Sequence, residues 1–173
     1  AIGLKKMDSD QIPKTGILSA AFFVASLIHV PLGPSNVHLI LNGIVGLILG
    51  WGAFPAIFVA LVLQAVLFQY GGITTLGVNT LLMALPALIC YYLFHPLIAR
   101  RPALAMAGAF AGGMTAVLLS GLMLGAFLVF TGDQFMEVSM LVVSVHLPVM
   151  VVEGVITLFC IGFLKKVQPA LLQ

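Results

Sequence analysis

Charge is what this chain has least of. Asp, Glu, Lys and Arg make up 7% of its 173 residues, against about 25% in a soluble domain. So few charges cannot cover a water-facing surface. Hydrophobic residues make up 62% and the mean hydropathy is +1.23, which excludes an ordinary soluble protein. A formal net charge of +2 gives no basic face for nucleic acid. The two cysteines, Cys90 and Cys160, stand apart in apolar runs. They form neither a disulfide framework nor a Cys/His zinc site and read as small buried residues. The patterns GxxxxGK[ST], HExxH and GxSxG are absent, so ATP binding and intramembrane zinc or serine proteolysis lack their usual signatures. The first residues do not follow the pattern of a cleavable signal peptide.

What is there is apolar sequence in blocks. Pro, Gly and polar clusters divide it into segments at about Gly16–Val30, Val37–Gly50, Ala53–Tyr70, Val78–Ile98, Ala103–Phe130 and Met140–Leu164. A spanning helix needs about 20 apolar residues. The reading is an all-α, polytopic membrane protein with six transmembrane helices, no sheet, and a single domain over residues 1–173. The first two segments are short, and Pro31-Leu32-Gly33-Pro34-Ser35-Asn36 separates them. Irregular backbone at membrane depth must be shielded by protein or line a cavity, which singles out Pro31–His38.

The basic residues fix an orientation. Lys5, Lys6 and Lys14 precede the first segment, Arg100 and Arg101 separate the fourth from the fifth, and Lys165 and Lys166 follow the sixth. With six crossings, all seven Lys and Arg fall on one side, opposite Asp133 and Glu137. The positive-inside rule then puts both ends of the chain in the cytoplasm. Ala1-Ile2-Gly3-Leu4 before Lys5-Lys6 reads as the last turn of a span, with no initiator Met, so a further helix is expected before Ala1. Gly46 with Gly50, Gly108 with Gly112, and Gly121 with Gly125 form GxxxG spacings. These suit close helix packing within the chain, with a docking face for a partner as the alternative.

Polar side chains in lipid need a reason. His29 and His38 flank the outer turn, and His38 is the leading candidate for a ligand. It follows irregular backbone that can open on a cavity, and a neutral imidazole is the commonest transition-metal ligand among side chains. One imidazole is not a site, so a hydrogen-bonded structural role stands beside that reading. His29 reads as a partner around the ligand or as a plain hydrogen-bonded residue. His95, near the inner end of the fourth segment, reads as interfacial. His146 and Glu153 are seven residues apart, about 20° around a helix and about 10 Å along it. They read as members of a buried polar network joined through a bridging side chain or water; a proton relay or a second metal site are the alternatives. Asn42, Gln64, Gln69 and Asn79 supply amides for such networks. Gly71-Gly72-Ile73-Thr74-Thr75-Leu76-Gly77 is an external glycine-rich loop that runs into Asn79.

Three runs resemble the CbiM/NikM family. They are Ile28-His29-Val30-Pro31-Leu32-Gly33-Pro34-Ser35-Asn36-Val37-His38-Leu39, Gly71 to Thr80 with Ala84-Leu85-Pro86-Ala87, and His146-Leu147-Pro148-Val149-Met150-Val151-Val152-Glu153-Gly154. The resemblance runs from Lys5 onward, and its wording leans towards the cobalt branch. It implies the substrate-capture (S) component of an energy-coupling factor importer for Co²⁺ or Ni²⁺, in a bacterial or archaeal cell membrane and serving cobalamin biosynthesis. It implies a seventh, N-terminal helix beginning Met-His, whose terminal amine, next amide and imidazole bind the metal. A His after the first external turn completes a near-square-planar set. Only that last ligand maps here, onto His38; His29, Ser35, Thr74, Thr75 and Asn79 would surround it. The metal would be cargo and not a cofactor. The implied partners are a membrane coupling subunit like CbiQ, ATPase subunits like CbiO and a small membrane subunit like CbiN.

Two other classes compete. A stand-alone proton-coupled carrier would use His146 and Glu153 as its relay, but such carriers show matching interrupted helices in two halves, and this sequence has none. An intramembrane metalloenzyme would need the motifs that are absent. The reading is therefore a transporter subunit and not an enzyme.

Overall fold

A computed structural model describes residues 11–32 and 35–172, with the side chains of residues 29–32, 35–38 and 133 set aside. The expectations for Ala1–Leu4, for Lys5 and Lys6 and for the Gly33-Pro34 turn lie outside the described residues. In chain order the elements are α1 (Gln11–Ser26), β1 (His29–Leu32), β2 (Ser35–His38), α2 (Asn42–Leu49), α3 (Ala53–Phe68), α4 (Leu76–Ile98), α5 (Pro102–Thr131) and α6 (Met136–Val167). Short 3-10 turns lie at Gly50–Gly52, Asp133–Phe135 and Pro169–Leu172. Among the described residues four stretches are long and apolar enough to cross a membrane: Asn42–Phe68, Leu76–Ile98, Pro102–Thr131 and Met136–Val167.

The first of those stretches reverses direction inside itself. Gly50 sits at φ 51°, a conformation that suits a residue without Cβ, and the ring of Tyr91 covers it at 3.1 Å from where a Cβ would stand. Gly52 lies beside Thr15, near the start of α1. From there α3 runs alongside α1 in the same direction: Ser19 Oγ donates to the Ala56 carbonyl at 2.8 Å, and Gln64 Nε2 donates to Ser26 Oγ at 2.7 Å. Thus α2 starts at the end where α1 stops and returns to the end where α1 starts. It descends parallel to α4, with Asn42 beside Met83, Gly46 beside Ala87 and Gly50 beside Tyr91. Then α5 and α6 pack antiparallel, with Gly125 on Val143, Gly121 on His146 and Gly162 on Met106.

The expectation of no sheet is corrected. Residues 29–38 contain a two-stranded antiparallel ribbon in the register His29↔His38, Val30↔Val37, Pro31↔Asn36 and Leu32↔Ser35. Consequently the second apolar segment is helical only from Asn42, and α2 has 8 residues. The reason is local: Pro31 has no N–H to give a helical ladder and disfavours helix at the residue before it, while β-branched Val30 and Val37 favour extended backbone.

One end of the bundle gathers the basic residues that the structure describes. Lys165 Nζ donates to the carbonyls of Ile98 at 2.6 Å and Arg100 at 3.1 Å, and Lys14 Nζ reaches the Ala170 carbonyl at 3.5 Å. At the same end Trp51 Nε1 donates to the Tyr92 hydroxyl at 2.8 Å, and His95 lies 4.6 Å from the Tyr91 ring. An indole and phenols at such a level suit a membrane interface.

The glycine spacings serve contacts within the chain. Gly46 abuts the Ala87 backbone, Gly108 abuts Leu97, Gly112 abuts Leu47, and Gly113 abuts Thr157 and the Glu153 carbonyl. An added Cβ at Gly46 would lie 2.7 Å and 2.8 Å from the Ala87 carbonyl carbon and Cα, and neither backbone can rotate away. Gly77 has nothing within 4 Å. Gly46→Ala is therefore expected to destabilise by about 1–3 kcal/mol, the usual cost of overpacking, while Gly77→Ala leaves stability unchanged. Thermal unfolding of the two variants in detergent checks this; an unaltered midpoint for Gly46→Ala would disprove the contact.

Candidate functional site

The end of the bundle opposite the basic residues carries backbone that is not regular helix. Leu39 N–H donates to the Ile28 carbonyl at 3.3 Å, which carries the ribbon ladder one step past the His29–His38 pair. Residues directly opposite in an antiparallel ladder are close neighbours with Cβ atoms about 4.5–5.5 Å apart. The ribbon register therefore sets the backbone of His29 opposite that of His38, and β2 lies against α6.

After Leu39 the chain turns down into α2 through Leu41, which has φ 51°. Left-handed backbone is uncommon for a non-glycine residue and persists only where its surroundings hold it. Here the holder is Glu153 of α6, whose side chain is fully buried. Its Oε1 accepts from the Ile40 N–H, and both carboxylate oxygens accept from the Leu41 N–H, at 3.0 and 3.1 Å. A helix leaves its first N–H groups without intrahelical partners, and in a buried, water-free setting each unmatched N–H costs about 1–3 kcal/mol. An acidic group at this end also complements the helix dipole.

A second grip comes from Asn42, the first residue of α2, whose side chain is fully buried. Its Nδ2 donates to the Met83 carbonyl at 3.2 Å and to Ser120 Oγ at 2.9 Å. Thus α4, α5 and α6 all hold the start of α2. The sequence placed Glu153 in a polar network with His146. In the structure Glu153 bonds the backbone amides of Ile40 and Leu41, and His146 Nδ1 lies 2.7 Å from the Val142 carbonyl of its own helix. The sequence carried a signal for the first arrangement, namely a carboxylate in mid-span beside a helix broken at Pro31–His38. It carried no signal for which amides the carboxylate would meet.

The glycine-rich loop closes on itself. Gly71 and Gly72 have φ 76° and 69°. The Gly71 carbonyl accepts from Thr75 Oγ1 and, at 3.1 Å, from Asn79 Nδ2. Thr75 Oγ1 also donates to the Gly72 carbonyl at 3.1 Å, and Asn79 Nδ2 reaches Thr75 Oγ1 at 3.3 Å. Thr75 and Asn79 thus come together as loop fasteners, while Thr74 is exposed on the loop. For Ser35 the structure gives only its register opposite Leu32. Among the described residues no three His, Cys, Asp or Glu side chains gather as a metal site. Cys90 and Cys160 are both free thiols.

Comparison with known proteins agrees with this architecture. Residues 1–171 match the CbiM family model, described as the cobalt uptake substrate-specific transmembrane region. A putative metal transport protein of Haemophilus influenzae is 38% identical over all of this chain and 85% of its own length. The fused nickel transport protein NikMN of Rhodobacter capsulatus is 34% identical over 70% of this chain and 35% of its own length. The cobalt transport protein CbiM of Sorangium cellulosum is 30% identical over 97% and 79%, respectively. The crystal structure of a truncated transition metal transporter superposes with a TM-score of 0.72 at 27% identity, over 94% of this chain and 84% of that one. A family match over nearly the whole chain, on apolar helices able to cross a bilayer, shows that this chain belongs to the CbiM family and is a multi-pass membrane component of cobalt and nickel transport.

Proposed function

We propose that this chain is the substrate-capture domain of an ATP-driven importer of the energy-coupling factor type, taking up Co²⁺ for cobalamin biosynthesis. The observation that carries the reading is the ribbon at the outer end, which sets His38 opposite His29 in a chain matched by the cobalt-uptake family model. His38 supplies one imidazole nitrogen. In the family that this chain resembles, the remaining donors are a terminal amine, a deprotonated amide and a second imidazole. Such an all-nitrogen set suits Co²⁺, Ni²⁺ or Cu²⁺ and does not suit Ca²⁺ or Mg²⁺, which take oxygen ligands. His29, Ser35, Thr74, Thr75 and Asn79 surround the site. The nickel name of one relative favours Ni²⁺ as the second reading.

The helices cross the membrane six times, α2 together with the ribbon forming one crossing, and both ends of the chain lie in the cytoplasm. The shared end of Lys14, Arg100 and Lys165 supports this orientation through the positive-inside rule. ATP hydrolysis falls to separate CbiO-like subunits and coupling to a CbiQ-like subunit. The fusion in NikMN supports a small CbiN-like partner.

Cysteines introduced at Asp133 and at Arg100 are expected to label from opposite sides of the membrane; labelling from one side would reject the six crossings. In the natural full-length protein, His38→Ala is expected to abolish Co²⁺ and Ni²⁺ binding, with a smaller loss for His29→Ala, by titration calorimetry. Unchanged affinity in His38→Ala alongside abolished binding in His29→Ala would reassign the ligand. Affinity is expected to fall as pH drops through the imidazole range, near 6.5, because imidazole and amine must be deprotonated to ligate. A flat Kd between pH 8 and pH 5.5 would exclude the all-nitrogen set.

A further inference from the structure

Glu153 is fully buried, and its partners lie two and three residues beyond His38. The chain between His38 and α2 is Leu39-Ile40-Leu41, and every N–H in it is fixed. Leu39 continues the ladder to Ile28, while Ile40 and Leu41 leave the ladder for the Glu153 carboxylate. The left-handed turn at Leu41 is where the ribbon is set at its angle to the helices. Glu153 itself is held by α5, because its carbonyl lies 2.9 Å from where a Cβ on Gly113 would stand. A shift of α6 along its axis would therefore move the backbone that leaves His38.

We propose that Glu153 is a positioning residue for metal capture: it ties the backbone after His38 to α6 and so fixes where the ribbon presents its ligand. This rests on the reading of His38 as a ligand. The carboxylate fits this backbone because Oε1 accepts from both N–H groups and Oε2 accepts a second time from Leu41. A glutamine of the same shape keeps one acceptor oxygen for the two N–H groups, but its NH₂ group in place of Oε2 would face the Leu41 N–H. Groups that orient a ligand without touching the metal typically change metal affinity by about 10–100-fold.

The test uses the natural full-length protein in detergent, with Ni²⁺ and Co²⁺ as probes, and the variants Glu153→Gln, Glu153→Asp and His38→Ala. Each is measured for monodispersity, Kd and the ligand-field absorption of the bound ion at saturation. Glu153→Gln is expected to bind about 10–100-fold more weakly, with broadened or shifted absorption bands. Glu153→Asp keeps the carboxylate but is one methylene shorter, so it is expected to fall between Glu153→Gln and the natural protein; it also serves if Glu153→Gln does not fold. A folded Glu153 variant with unchanged Kd and spectrum, whatever its thermal midpoint, would overturn the positioning role while leaving His38 as ligand. Unchanged binding in His38→Ala would instead remove the reading on which the proposal stands.

Discussion

Backbone amides without helical partners, set deep in an apolar bundle, are the constraint around which this protein is arranged. The descent from the ribbon into α2 leaves the N–H groups of Ile40 and Leu41 without ladder or helix partners, and Glu153 accepts both. In water those groups would find solvent. Inside a bilayer each needs a partner supplied by the protein. One carboxylate meets the need: Oε1 accepts from both groups, Oε2 accepts again from Leu41, and the acidic group faces the positive end of α2. Removing it would expose a left-handed Leu41 and unmatched donors together.

That arrangement needs helices that approach closely. Gly43 faces the Gly113 backbone, Gly113 faces Thr157 and the Glu153 carbonyl, and Gly46 faces Ala87. Side chains at these positions would push α2 away from the helices whose polar groups hold it. Asn42 adds bonds to α4 and α5 from the same turn of α2. With little hydrophobic drive between helices in lipid, close packing and buried hydrogen bonds carry the association. Here both meet at the start of one short helix.

The two ends of the bundle differ in chemistry as well as in charge. At the basic end, Lys14 and Lys165 bond backbone carbonyls, and aromatic groups lie at the same level. At the opposite end, polar groups are used to hold irregular backbone: the ribbon by its own ladder, the glycine loop by Thr75 and Asn79, and the start of α2 by Glu153. Each stretch of irregular backbone at that end is thus given hydrogen-bond partners by the protein itself, as an apolar bundle requires.

Periodic and compositional features were legible in the sequence. Scarcity of charge and long apolar blocks specify a membrane protein, because a bilayer is the only solvent that such a surface suits. The segregation of Lys and Arg specifies the ends, and the runs around His38, Gly71 and His146 specify the family. Pro31 and the loop glycines marked where helices stop. The sequence did not separate a ribbon from two frayed helix ends at residues 29–38, since both have the same apolar composition, and the choice depends on His29 pairing with His38 across a turn. Nor did it identify the partner of Glu153. The helical spacing to His146 was visible along the chain, whereas the amides of Ile40 and Leu41 are over a hundred residues away in sequence. Only the tertiary packing of α2 against α6 puts them within hydrogen-bond reach, because backbone donors carry no side-chain signature and are identified only by where the chain leaves them unpaired.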